Sequence, residues 1–223
     1  MEARDRRALI ALLLLAVGVG VVGLMLRGGG SARATDAPLE ITPEVRAAEL
    51  RFAPDVTERD RAWVLAAIAS ARPEARRLID EVDGLVEVRV YANDPTALGR
   101  AHMDSHGLAI SLDAHALNGD RAIERNAVVL HELGHIIDYV LVPDDLMQEL
   151  DRSIPRGGAC GPNGEPTGGC TAVEERFADT FMKWALRGEV SMAGGGYHIP
   201  APASLEDWGA PLGLMAAKLT LGT

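Results

Sequence analysis

Cysteine is nearly absent from this chain of 223 residues; Cys160 and Cys170 are the only two. Two cysteines close at most one disulfide, and a Cys-x9-Cys spacing is not one that zinc sites use. Positive charge is also scarce. Lys and Arg number 22 against 32 Asp and Glu, a net charge of −10 at pH 7. The imbalance is uneven along the chain. Residues 1–34 hold five Arg and two acids, net +3, so the remainder holds 17 basic and 30 acidic residues, net −13. A surface that acidic excludes nucleic acid as a partner and excludes close electrostatic docking on anionic lipid. No internal repeat is visible.

What is present begins with an apolar run. Ala8 to Leu26 carries no charge and as a helix would be about 28 Å long, the thickness of a hydrocarbon core. Arg4, Arg6 and Arg7 precede it and only Arg27 follows closely. The excess of arginine on one side predicts residues 1–7 in the cytoplasm, a transmembrane signal anchor over 8–26, and the rest of the chain outside. The competing expectation is secretion after cleavage near Ala32-Arg33-Ala34. The run is long for a signal peptide, and that site lies several residues past its end. Gly28-Gly29-Gly30-Ser31 opens a flexible tether over 27–42. Residues 43–223 are enough for one domain with a real core. Cys160 and Cys170 lie in a Gly- and Pro-rich loop of that domain, where an oxidising exterior predicts that they form a disulfide.

The chemistry concentrates at His131-Glu132-Leu133-Gly134-His135, inside the helix-compatible run Asn126 to Leu141. Four residues is about one helical turn, so both imidazoles leave one helix face. There they can ligate one zinc ion, and Glu132 beside them can take a proton from a metal-bound water. The plainer alternative is a pair of surface histidines on an amphipathic helix. The flanks argue against it: Val128, Val129, Leu130, Ile136, Ile137, Val140 and Leu141 bury this turn. Unpartnered histidines and a glutamate in a core helix are costly, and a metal removes the cost.

A third ligand is still needed. The extended zinc motif, with Gly three and His six positions after the second histidine, is absent; those positions hold Asp138 and Leu141. A glutamate on a later helix is the alternative, and the run Glu174 to Trp184 offers one. Val173, Phe177, Phe181 and Trp184 form a core stripe at helical spacing. Glu175 and Asp179 are like charges at i, i+4, which destabilises a helix slightly unless a cation sits near them. A solvated acidic face is the plain explanation of this segment, and Glu174 is a rival ligand.

The remaining pattern predicts an α+β domain. Thr57-Glu58-Arg59-Asp60 reads as a capping box opening a helix through Trp63, Leu65 and Ile68. Pro73 restarts it, and a second helical stretch runs to about Val82. Asp83-Gly84 is a turn, and Val86, Val88 and Val90 alternate with Glu87 and Arg89 in a strand over Leu85 to Ala92. Gly107 to Leu112 is a second strand, and Asn118-Gly119-Asp120 starts the motif helix. His102 and His106 fall in a polar loop, and His115 is expected to be exposed. Asp138 is expected to be a buried hydrogen-bond acceptor.

His-Glu-Leu-Gly-His-Ile-Ile-Asp over 131–138, followed by Glu175-Arg176-Phe177-Ala178-Asp179, resembles the gluzincin metallopeptidases, and most of all the anthrax-lethal-factor-type peptidase domains. The resemblance covers the two motif helices, about a fifth of the chain. It implies a zincin-like domain in which a small twisted sheet packs on the motif helix. It implies His131, His135 and Glu175 as zinc ligands, Glu132 as general base, and Asp179 orienting a ligand imidazole. The Ala-then-Asp phasing selects Glu175 over Glu174. It also implies an edge strand that binds extended peptide by strand addition, a role the chain order allows for Gly107–Leu112. A Tyr or His beyond the third ligand would stabilise the oxyanion, and Tyr197 or His198 follows the Gly194-Gly195-Gly196 hinge. The function so implied is membrane-anchored zinc-dependent endopeptidase, acting on a peptide or protein substrate. The alternatives are a catalytically silent, zinc-stabilised domain that binds a peptide or cell-wall partner, and a zinc hydrolase of non-peptide amides. No long pro-segment or inhibitory cysteine precedes the first helix.

Overall fold

A computed structural model describes residues 50–92, 97–156, 172–190 and 199–221. The apolar run 8–26, the tether 27–42, Cys160, Cys170, Tyr197 and His198 lie outside the described residues. Among the described residues no helix is long and apolar enough to cross a membrane.

Local chemistry sets the first elements. Thr57 Oγ1 accepts the Asp60 N–H at 3.2 Å and so caps α1, Glu58–Ser70. Such a cap stabilises a helix by about 1 kcal/mol. Trp63, Val64, Ala67 and Ile68 turn inward, whereas Leu65 is exposed. Buried Asp60 accepts hydrogen bonds from Trp63 Nε1 at 3.2 Å and Asn118 Nδ2 at 2.7 Å. Pro73 opens α2, Pro73–Val82, in the first turn where its missing N–H costs nothing. Ala75, Leu78, Ile79 and Val82 form its buried stripe. A single 3-10 turn, Asp83–Leu85, leads into the sheet.

The sheet is small and mixed. Its strands are β1, Arg51–Phe52; β2, Val86–Tyr91; β3, Gly99–Asp104; and β4, Gly107–Asp113. The order is β1-β2-β4-β3, with β1 and β4 parallel to β2 and β3 antiparallel to β4. β3 and β4 form a hairpin whose turn needs glycine: Gly107 has φ of 115°, and the His106 N–H donates to Asp104 Oδ1 at 2.7 Å. The expected edge strand is therefore not the edge. Gly107–Leu112 lies in β4, paired on both sides, with Leu108, Ala109, Ile110 and Leu112 all buried. Among the described residues the edges are the two-residue β1 and β3, and His102 stands in β3 rather than in a loop. β3 has no apolar alternation of its own; pairing with β4 makes it a strand.

Asp113 ends β4 and caps the short α3, Ala114–Asn118, by accepting the N–H groups of His115 and Ala116. Gly119 stops that helix, and a 3-10 turn, Ala122–Glu124, follows. The motif helix α4 then spans Arg125–Val140, beginning later than Asn118-Gly119-Asp120 suggests. Arg125 fixes the junction by donating to Leu117 O at 2.6 Å and Asn118 Oδ1 at 2.8 Å. Buried residues occupy every side of α4, as expected of a helix packed between α1, α2, β3 and α6, Val173–Ala185.

Three helices had no counterpart in the sequence pattern: the short α3; α5, Asp144–Ser153; and α7, Leu205–Leu221. Phe177, Phe181 and Trp184 of α6 meet Trp208 of α7 in one aromatic cluster, with ring centroids 5.7–6.5 Å apart. Val173 was expected in that stripe but is exposed at the first turn of α6. Buried Arg176 ties α6 to the end of α5. It donates to Asp151 Oδ1 and to Ile154 O, each at 2.7 Å. The domain is α+β, with seven α-helices and one four-stranded mixed sheet among the described residues.

Candidate metal centre

α4 carries His131, Glu132 and His135 within about one turn, and the two imidazole rings meet edge to face with centroids 4.9 Å apart. α6 brings Glu175 to them. Glu175 Oε2 lies 3.3 Å from His131 Nε2 and 3.4 Å from His135 Nε2. Glu174, the rival ligand, is exposed. Gly134 makes the approach possible. A Cβ there would lie 3.1 Å from Ala178 Cα and 3.3 Å from Ala178 O, so any side chain would press the two helices apart. Ala178 is one turn beyond Glu175, so this close approach of α4 and α6 lies one turn from the carboxylate.

The spacing fits a metal better than a hydrogen-bonded triad. Two ligands bonded to one zinc at roughly 2.0–2.1 Å with tetrahedral angles lie about 3.3–3.4 Å apart. A charge-assisted N–H···O bond would close to about 2.7–2.9 Å. Glu175 Oε2 is buried and has no hydrogen-bond partner among the described residues, a costly state for a carboxylate oxygen without a cation. The three side chains are the one cluster of metal-ligating type found among the described residues. His131 and Glu175 keep part of their surface open, which leaves a side from which a further ligand can reach the centre.

Electrostatics agree with the geometry. Burial opposes ionisation of Glu175, but the two imidazoles facing it prevail and hold its pKa at about 2. Desolvation works against charge on His131, yet Glu175, Glu132 and Asp179 outweigh it and raise its pKa. Burial also raises Glu132, against the pull of both histidines. The pocket thus gathers more negative charge than its own residues balance, a setting for a divalent cation.

Glu132 is held from the sheet side. Its carboxylate accepts a hydrogen bond from the Ala101 N–H of β3. Gly99, two residues earlier, packs against the same side chain. Asp179 is buried one turn beyond Glu175 and interacts electrostatically with His131. Its carboxylate Oδ2 accepts a 2.5 Å hydrogen bond from Lys183 Nζ, and Lys183 also donates to Ile199 O. Tyr139 stacks on His135 at 6.2 Å between centroids, and Asp138 is buried. His115 is exposed, as expected, and so is His106. His102 instead stands beside Arg89 and Asp104 on the sheet, away from the centre.

Sequence reasoning missed Gly99, Ala101 and Lys183, because their parts depend on which strand is the edge and where the chain returns after 191–198. Comparison of the chain with family models, curated proteins and solved structures finds no match.

Proposed function

We propose that this chain is a zinc-dependent metalloendopeptidase of the gluzincin type, with a zincin-like domain anchored in the membrane by residues 8–26 and exposed outside the cell. The convergence of His131, His135 and Glu175 on one point, with Glu132 on the same turn, carries the reading. A zinc ion bound there supplies a Lewis acid that polarises a carbonyl and acidifies water. Glu132 takes the proton of the attacking water and later passes it to the leaving amine. Its buried, Ala101-bound carboxylate suits that shuttle, because it is fixed in place while burial raises its pKa. β3 is the free edge nearest Glu132, so it, and not Gly107–Leu112, is the strand to which an extended peptide would add. Asp179 is assigned to holding the His131 side of the centre electrostatically, with Lys183 fixing its carboxylate.

The test is cleavage of a diverse peptide mixture by the zinc-loaded, full-length chain in detergent, read by mass spectrometry beside Glu132→Ala. Cuts made by wild type alone support the proposal. A folded, zinc-loaded wild type that cuts no peptide contradicts it. Hydrolysis of cell-wall fragments would then favour a non-peptide amidase, and binding without cleavage a silent zinc-stabilised domain.

A further inference from the structure

We infer that edge strand β3 positions the carboxylate of Glu132: the Ala101 N–H holds it, and the absence of a side chain at Gly99 leaves the space it fills. The inference deepens the hydrolase reading and rests on it for the consequence in turnover, while the contact itself is testable without turnover.

Gly99 is a glycine for space, not for conformation. Its φ lies outside the left-handed region, where among the described glycines only Gly107 and Gly188 fall. A glycine within a strand weakens it and often marks a close approach by another group. Here that group is Glu132. A Cβ at Gly99 would sit 2.6 Å from Glu132 Oε1, 2.7 Å from its Cγ and 2.9 Å from its Cδ. All three nearest atoms belong to this one side chain, and all three distances are shorter than real contacts. The steric seat and the Ala101 hydrogen bond act on the same carboxylate from the same strand.

The chemical need is clear. A glutamate has three rotatable side-chain bonds, and ordering them costs entropy that must be met by contacts. The base must also be held close to the geometry of proton transfer, because a misplacement near 1 Å can cost about 100-fold in rate. Glu132 belongs to α4, which fixes only its Cα and Cβ. β3 supplies the far end of the constraint, so helix and strand together define where the carboxylate stands. Gly99 and Ala101 are positioning residues; neither has a side chain that could itself move a proton.

The experiment is a double-mutant cycle on the full-length, metal-free chain in detergent, read by tryptophan fluorescence during thermal unfolding. Gly99→Ala should lower the midpoint by about 3–8 °C in the wild-type background. In the Glu132→Ala background the same substitution should leave the midpoint unchanged or raise it, since the atoms it would strike are gone. An equal shift in both backgrounds, or none in either, overturns the inference. With zinc loaded, Gly99→Ala should keep wild-type metal content and KM while kcat falls about 10- to 100-fold. An unchanged kcat also overturns it. A wild type that turns over no substrate counts against the hydrolase reading, and the unfolding cycle still decides the contact.

Discussion

Replacing Gly134 with alanine should loosen the metal centre more than the fold. The added Cβ would lie 3.1 Å from Ala178 Cα, 3.2 Å from Phe181 Cδ1 and 3.3 Å from Ala178 O. Carbon contacts are most favourable at about 3.5–4.0 Å, so α4 and α6 must part by roughly 0.5 Å. Two effects oppose each other in stability. Alanine gains about 1 kcal/mol of helix propensity over glycine, and overpacking costs about 1–3 kcal/mol. The net loss is about 0–2 kcal/mol, and the melting midpoint falls by no more than about 8 °C. A metal held by these residues would feel the same shift undiluted. His131 and His135 flank Gly134 on α4, while Glu175 stands one turn before Ala178 on α6. A parting of roughly 0.5 Å exceeds the tolerance of about 0.2 Å expected of a ligand distance. Zinc affinity should fall about 10- to 100-fold, the size of losses seen when the support of a ligand is disturbed. Competition with a chromophoric chelator measures it. Gly84→Ala is the control, because nothing lies within 4 Å of its Cβ position. Wild-type zinc affinity in Gly134→Ala would refute the reasoning that this crossing sets the Glu175–histidine distance.

Further expectations concern the ligand set and the core. Glu175→Ala should lose bound zinc on dialysis and Glu174→Ala should keep it, by metal analysis; the reverse pattern would move the ligand. Arg176→Ala should destabilise the domain by about 1–3 kcal/mol in urea unfolding, because it takes the buried cation from Asp151, leaves it only the more exposed Arg156, and unpairs Ile154 O; a loss below about 0.5 kcal/mol would contradict that. Stability should fall in acid. Burial opposes ionisation of Asp151, but hydrogen bonds from Arg176 and Arg156 prevail and lower its pKa. Its contribution is thus complete above the unfolded value of about 3.9 and is lost as pH falls through the lower folded value. Urea midpoints measured downward from pH 5 should show this, and Asp151→Asn should flatten that limb of the profile.

How much of this could be read from the chain follows from what is local. The turn of α4 that carries His131 and His135 was legible because four-residue spacing alone puts both on one face. Thr57 and Pro73 were legible because a cap and a first-turn proline act within their own helix. The valine alternation of β2 was equally local. β3 was not legible. Gly99-Arg100-Ala101-His102-Met103-Asp104 carries no period of two, and only its partner β4 makes it a strand. The exchange of edge and centre between β3 and β4 has the same origin, since two runs in chain order do not say which lies outside. α5 escaped because its buried face is short, with Met147 and Leu150 as its apolar part. The Arg176–Asp151 pair and the Gly99–Glu132 contact join residues far apart in the chain, so no spacing rule could reveal them. Glu175 was preferred over Glu174 by phasing alone, and the geometry now gives a reason: one faces two imidazoles and the other faces solvent.

The most direct test of the central claim is a zinc X-ray absorption spectrum of the full-length chain carrying one equivalent of zinc. Two imidazole nitrogens at roughly 2.0–2.1 Å and carboxylate oxygen at roughly 2.0–2.2 Å are predicted, with imidazole scattering reduced in His131→Ala and in His135→Ala. A shell of oxygens alone, or a spectrum indifferent to both substitutions, would contradict the metal centre on which the proposed function depends.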